Sequence, residues 1–163
     1  MIFSDIASGS KGNITYIASC STKLLIDAGI SASLIEKNLL DLLVNPNEID
    51  GILLTHTHVD HINGLKVFIK KYNTKVYLSE KMYNEISKQF NLINYEIIDK
   101  YIKINDIDID VIKTSHDTDD SNGYILNCNN KSIVYITDTG YINKKNHSKL
   151  IDKTVYIMKV IMI

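Results

Sequence analysis

The stretch Thr55-His56-Thr57-His58-Val59-Asp60-His61 decides the fold, and it directly follows the apolar run Ile52-Leu53-Leu54. A short, wholly apolar run predicts a buried central strand, so the polar cluster begins where that strand ends. Alternate residues of an extended segment point in the same direction. His56 and His58 can therefore converge on one ion.

Asp60 and His61 lie beyond the turn, at the start of a predicted helix, where they can face a second ion. Imidazole nitrogens and carboxylate oxygens are ligands that Zn²⁺, Mn²⁺ and iron accept. Four candidate ligands within six residues form a dense cluster in a chain with five histidines. The alternative is a solvated loop, which suits a lone histidine better than four ligands directly after an apolar strand. The stretch therefore predicts a metal site.

Two later residues, His116 and Asp138, are also predicted at the carboxyl ends of strands. His116 follows a predicted strand over 107–115, and Asp138 follows one over 132–137. Taken alone, His116 would be a solvated loop residue and Asp138 a turn residue. Their shared placement with His56 along one sheet edge makes them candidate ligands. His147 lacks this context and is predicted to lie at the surface.

The remaining pattern alternates strands and helices. Ser33 and Glu36 have the spacing of a capping box, and Asn129-Asn130 predicts a hairpin turn. This order predicts an α/β, or α+β layered, architecture with one domain over residues 1–163. Strands are predicted over 1–7, 14–18, 23–27, 52–54, 75–78, 107–115, 123–128, 132–137 and 154–157, and helices over 33–44, 62–72, 79–90 and 142–150.

Composition constrains the partners of the chain. The net charge is −1, and every basic residue is lysine. A near-neutral balance gives no general attraction to nucleic acid or anionic membrane. Without arginine, a phosphate would be held by lysine, backbone N–H groups or metal. The N-terminus lacks a signal-peptide pattern and no run is long enough to span a membrane, which predicts a cytoplasmic protein with Cys20 and Cys128 reduced and buried.

These motifs together resemble the metallo-β-lactamase fold. The stretch 55–61 is similar to its T-H-x-H-x-D-H signature, and two later segments resemble its next metal motifs in the right order, namely Ser115-His116-Asp117 and Thr137-Asp138-Thr139-Gly140. The opening Ala7-Ser8-Gly9-Ser10-Lys11-Gly12-Asn13 resembles the S-G-S-x-G-N element of the YycJ (WalJ) branch, and Asp27-Ala28-Gly29 resembles its D-x-G element.

The resemblance implies an αββα sandwich that binds two divalent ions, Zn²⁺ or Mn²⁺. It implies hydrolysis of phosphodiester bonds, with 5′-to-3′ DNA exonuclease activity and DNA as the substrate. Asp60 would orient the attacking water or accept its proton. Lys11 is a candidate phosphate contact, with a simple strand-connecting turn as the equal alternative. The resemblance implies that the ligands of the first ion are His56, His58 and His116. It implies that the ligands of the second ion are Asp60 and His61, and that Asp138 binds both ions.

The resembled family continues after the bridging Asp with E-S-N-H-D and later G-H-L-S-N, and residues 156–163 contain neither motif. We therefore expect a sandwich that is incomplete at the C-terminus and a second site that is one ligand short. Assumed codons for 157–163, read in another frame, encode N-E-S-N-H-D, which leads to the hypothesis of a frameshift. Other substrates (a thioester, a lactone or a small cyclic phosphodiester) and an inactive truncated fragment stay open, and no oligomeric state is predicted.

Overall fold

The computed structural model describes residues 1–115 and 120–160, with the backbone alone for Val160. Its strands are β1 (Ile2–Ala7), β2 (Ile14–Ala18), β3 (Lys23–Ile26), β4 (Gly51–Leu53), β5 (Val76–Leu78), β6 (Tyr95–Ile97), β7 (Tyr101–Ile104), β8 (Ile107–Lys113), β9 (Asn122–Cys128), β10 (Lys131–Thr139) and β11 (Val155–Val160). Its helices are α1 (Ala32–Asp41), α2 (Val59–Ile62), α3 (Leu65–Tyr72), α4 (Glu80–Ile86) and α5 (His147–Leu150), with 3-10 turns at Pro46–Glu48 and Lys144–Asn146.

The first sheet has the order β1-β2-β3-β4-β5-β6. Strands β1 to β3 are antiparallel, whereas β3 to β6 run parallel and are joined through the helices α1 to α4. Because β3 and β4 are parallel neighbours, their carboxyl ends meet at one edge of the sheet. The segments that follow them, which begin at Asp27 and Leu54, therefore lie side by side.

The second sheet has the order β11-β10-β9-β8-β7. Strands β7 to β10 form an antiparallel meander, and β11 adds to β10 in parallel. The turn between β9 and β10 is the predicted Asn129-Asn130, both with positive φ (49° and 60°). A two-residue hairpin turn of this kind requires positive φ at both positions, and asparagine tolerates it. The predicted hairpin is confirmed.

Three apolar clusters hold four layers together. One lies between the first sheet and helices α1, α3 and α4, with Ile35, Phe68 and Met82 among its buried members. The second lies between the two sheets and includes Tyr124. The third covers the outer face of the second sheet, where Leu150 packs on it. The order helix, sheet, sheet, helix confirms the predicted layered α/β fold.

Helix α1 differs in detail from its prediction. The residue at its N-cap is Ser31, whose side chain makes no capping hydrogen bond, so the capping box expected at Ser33 and Glu36 is wrong. The Ser33 hydroxyl lies 3.2 Å from the Ser31 hydroxyl instead. The helix ends at Asp41, and Leu43 is exposed with a left-handed backbone (φ 60°).

In place of one helix over 62–72, the structure has α2, which begins at Val59, and α3, which begins at Leu65, with Asn63-Gly64 between them. Gly64 packs tightly on the segment between β3 and α1, so that a Cβ at Gly64 would lie 2.1 Å from the Ile30 carbonyl oxygen. The chain therefore turns at Gly64, and α2 begins early enough to contain Asp60 and His61. Their predicted place at the start of a helix is confirmed.

The two cysteines are both free thiols, and Cys128 is buried as expected. Cys20 is exposed, contrary to the prediction, because it lies in the tight turn between β2 and β3. No helix among the described residues is long and apolar enough to cross a membrane.

Candidate metal centre

Three buried side chains from distant parts of the chain meet at one edge of the two sheets. They are His56, His61 and Asp138, and their candidate ligand atoms all lie within 4.8 Å of one another. The His56 and His61 ring centroids are 3.9 Å apart. His61 Nε2 lies 3.0 Å from Asp138 Oδ2. Two imidazoles and a carboxylate so close together make a donor set suited to a divalent ion.

Each member of this cluster is placed by the end of a structural element. His56 follows β4, where the Tyr124 hydroxyl donates to the Leu54 carbonyl. His61 sits on α2. Asp138 is in the last residues of β10, where the pairing with β11 becomes irregular and φ is 53°. This left-handed backbone is uncommon outside glycine but accessible to Asp, and it marks the point where the strand is distorted to present its carboxylate.

Asp27 sets the orientation of His61. Its Oδ2 lies 2.7 Å from His61 Nδ1 and accepts the Thr55 hydroxyl proton at 2.7 Å, while Oδ1 accepts the Thr55 backbone N–H at 2.8 Å. An ionised carboxylate only accepts, so Nδ1 of His61 carries a proton. Nε2 therefore faces the cluster. In metal-binding histidines the other ring nitrogen commonly donates to a carboxylate in this way, which fixes the tautomer and the orientation of the ring.

Charge in the cluster is balanced by His61 and by a lysine. Burial opposes a charge on the imidazole, but Asp27 and Asp138 outweigh burial and raise the pKa of His61 to about 9. For Asp138, burial is likewise outweighed, here by the close approach of His61 and Lys159, and the pKa of the carboxyl falls well below its usual range. His61 therefore lies between two acidic side chains that favour its protonated form.

Lys159 of β11 forms an ion pair with Asp138. Its Nζ lies 2.8 Å from Asp138 Oδ1. The buried carboxylate thus already has one positive partner on each oxygen, from Lys159 and from His61. Asp138 thus lies beside two positively charged groups and near the His56 imidazole. Its carboxylate and the two imidazoles are ligand types that divalent ions accept, and the negative charge of the carboxylate favours a cation at this position.

The other residues of the predicted stretch lie at the rim of the cluster. His58 occupies the N-cap position of α2, and its ring centroid is 4.8 Å from that of His56. Asp60 is one-third exposed, with Oδ2 3.7 Å from His61 Nε2.

His116 lies outside the described residues, so its role as a ligand stays a prediction. The described chain before it reaches Ser115, whose backbone oxygen accepts from the Gly140 N–H at 2.9 Å. Lys11 is exposed at the rim of a cleft that Asp60 also lines. His147 is exposed on α5, as predicted.

Sequence reasoning assigned no role to Asp27 or Asn13, which contact the cluster directly. Asp27 follows β3 just as His56 follows β4, so the rule that found His56 and Asp138 would also have found Asp27. Asn13 lies at the start of a strand, where that rule gives no signal. Its contact with the cluster depends on how the loop between β1 and β2 folds back.

A family model described as the beta-lactamase superfamily domain matches residues 22–163. Exodeoxyribonuclease YycJ of Bacillus anthracis is 37% identical over 150 residues, which cover 88% of this chain and 56% of that protein. Exodeoxyribonuclease WalJ of Streptococcus pneumoniae serotype 2 (strain D39) is 35% identical with the same coverage. The chain thus spans about half the length of the curated relatives it matches.

Among solved structures, the metallo-beta-lactamase fold protein YhfI from Bacillus subtilis superimposes with a TM-score of 0.73 at 15% identity. The match covers 94% of this chain and 68% of that one. At this identity the likeness concerns the fold alone, and it extends over both sheets and the helical layer.

Proposed function

The chain belongs to the beta-lactamase superfamily domain family, and on that premise we propose that it is the metal-binding part of a phosphodiesterase that degrades DNA from the 5′ end. The observation that carries this proposal is the buried cluster of His56, His61 and Asp138. Two relatives of more than a third identity are named exodeoxyribonucleases, which supports DNA as the substrate. We treat residues 1–163 as one domain and expect a cytoplasmic protein.

The proposed centre holds two divalent ions, Zn²⁺ or Mn²⁺, since both metals accept imidazole and carboxylate ligands. Asp138 would be a ligand of both ions, and its two carboxylate oxygens already lie near two cationic groups, His61 and Lys159. For these residues to hold metal, Lys159 would have to leave Asp138 Oδ1, and His61 Nε2 would have to be free of its proton. The first site comprises His56, His58 and His116, and the second comprises Asp60 and His61.

When bound, the two ions supply an activated water near neutral pH and neutralise the charge of the phosphate. Asp27 keeps the proton of His61 on Nδ1, so that Nε2 faces the centre. Asp60 lies at the rim, where its carboxylate would orient the attacking water or accept its proton. Lys11, which lines the same cleft as Asp60, would hold a phosphate oxygen of the substrate by charge. The chain has no arginine, and this lysine supplies the contact instead.

Two measurements test the proposal on the chain as it stands. Metal content after loading should reach at least one ion per chain, with weaker occupancy of the second site because it is one ligand short, and a 5′-phosphorylated oligonucleotide should be shortened from its 5′ end. His58→Ala should reduce cleavage by at least about 100-fold, beyond what loss of a supporting residue usually costs. His147→Ala is the matched control, because it removes an exposed histidine outside the cluster, and it should leave cleavage unchanged.

The outcomes separate the alternatives. Hydrolysis of a thioester, a lactone or a cyclic nucleotide without cleavage of DNA overturns the substrate and keeps the metal-dependent hydrolase. Metal uptake with no hydrolysis of any of these compounds identifies a metal-binding fragment without catalysis. Failure to take up metal overturns the whole proposal.

A further inference from the structure

Asn13 is a buried polar residue at the junction of the glycine-containing loop and the metal centre. It is 3% exposed. Its side-chain amide donates to the Gly9 carbonyl at 3.0 Å and to Asp60 Oδ2 at 3.0 Å, and its Oδ1 accepts from the Gly9 N–H at 2.9 Å. The same nitrogen is 3.0 Å from His61 Nε2. A buried amide with every group engaged has one orientation.

From these contacts we infer that Asn13 is a positioning residue, which holds the Asp60 carboxylate toward the metal centre. Asp60 needs such a partner because it is one-third exposed on a helix of four residues. A carboxylate oxygen carries two lone pairs, so Oδ2 can accept from Asn13 and still offer a lone pair to an ion. The inference rests on the proposed metal centre.

The backbone fixes Asn13 against the same helix. Its N–H donates to the Asp60 carbonyl at 2.7 Å, and its own carbonyl accepts from the Gly29 N–H at 2.9 Å. A Cβ on Gly29 would lie 1.7 Å from the Asp60 carbonyl oxygen and 2.4 Å from the Asn13 nitrogen. Three segments therefore meet with no space between them, and the amide reaches Asp60 from a fixed point.

Asn13 also links Asp60 to the loop that carries Lys11. The two hydrogen bonds with Gly9 close this loop, together with the bond from the Gly12 N–H to the Gly9 carbonyl at 3.1 Å. Gly12 has φ 138°, a conformation that favours glycine. One amide thus fixes both the proposed water-orienting carboxylate and the rim that faces the substrate.

A role limited to closing the loop is the competing explanation, and an isosteric change separates the two. In Asn13→Asp the side-chain oxygen can still accept from Gly9, but the donor to Asp60 is replaced by a second carboxylate. Loop closure is partly kept while the contact with Asp60 becomes repulsive. The matched control is Thr15→Val in β2. It removes the hydroxyl contacts with Asp5 of β1 and with Tyr135 of β10 and none to the centre.

The experiment is a Co²⁺ titration of the full chain and these two variants, followed by the visible absorption of the bound ion and by chelator competition. Asn13→Asp should weaken binding by about 10-fold or more and alter the absorption spectrum, as expected for loss of a residue that orients a ligand. Thr15→Val should lower Tm while affinity and spectrum stay those of the unmodified chain.

Unchanged affinity and spectrum in Asn13→Asp overturn this inference alone. Failure of the unmodified chain to bind Co²⁺ overturns the proposed metal centre and the inference with it. If Asn13→Asp does not fold, as judged by circular dichroism, Asn13→Ser serves instead. Serine removes the amide nitrogen that donates to Asp60 without adding a charge, and the same two readouts decide.

Discussion

At the scale of single residues, Asp27 determines which nitrogen of His61 faces the metal centre. Asp27→Asn keeps the shape of the side chain but can place an N–H opposite His61 Nδ1. The imidazole then carries its proton on Nε2, which blocks that nitrogen as a ligand. We expect Zn²⁺ affinity, measured by chelator competition, to fall about 10- to 100-fold.

Asp106→Asn is the control for this change. Asp106 also accepts hydroxyl hydrogen bonds, from Ser19 and Thr22, but it takes no part in the cluster. Its variant should keep the Zn²⁺ affinity of the unmodified chain. Equal affinity in both variants would show that Asp27 does not act through His61.

The raised pKa of His61 leads to a prediction of how the stability of the metal-free chain depends on pH. Its pKa is raised from 6.5 to about 9 in the folded state, so the protonated imidazole favours folding. This contribution is complete below pH 6.5 and is lost as the pH rises through about 9. With chelator present, the free energy of unfolding in urea should therefore decrease across this range.

Two histidine variants test this origin of the pH dependence. His61→Gln should remove most of the decrease, whereas His147→Gln, at an exposed position, should retain it. A profile that is flat in the unmodified chain would contradict the prediction.

At the scale of elements, β9 supports the end of β4 through one hydroxyl group. Tyr124 is fully buried and donates to the Leu54 carbonyl, two residues before His56. Tyr124→Phe removes the donor and leaves that carbonyl without this partner. We expect the free energy of unfolding to fall by about 1–2 kcal/mol, measured by urea denaturation.

Tyr101→Phe provides the comparison for this element. The Tyr101 hydroxyl also donates, to Asp108, but the residue is 54% exposed. Water replaces the lost bond there, so its cost should stay below about 0.5 kcal/mol. A similar decrease in the free energy of unfolding in both variants would mean that the buried hydrogen bond contributes no more to stability than the exposed one.

At the scale of the whole molecule, the metal centre joins the two sheets. His56 and His61 belong to the first sheet and its helix, whereas Asp138 belongs to the second. An ion that binds all three should stabilise the folded state by mass action, by about 2.7 kcal/mol at a concentration 100 times Kd. Tm should rise when Zn²⁺ or Mn²⁺ is added to the metal-free chain and return after chelation. A Tm that does not respond would exclude binding across the sheets.

Much of this architecture was accessible from the sequence, because its signals are local. The apolar run 52–54, the alternation from Ile107 and the Asn129-Asn130 turn each report the environment of a few neighbouring residues. The end of β4, and with it the place of His56, could be located in this way. Asp138 was predicted to follow a strand over 132–137, whereas β10 continues through Asp138 to Thr139. Helix ends were less accessible, since α1 stops and α2 separates from α3 through contacts such as that of Gly64 with Ile30.

By itself, then, the sequence determined the layered fold, the family and the expected ligand residues, since hydrophobic periodicity and motif spacing are properties of adjacent positions. Only the tertiary structure decided how those residues are supported. The contacts of Asp27 with His61, Asn13 with Asp60 and Lys159 with Asp138 join positions 34, 47 and 21 residues apart. Such partners are chosen by the packing of loops and sheet edges, which no local pattern encodes.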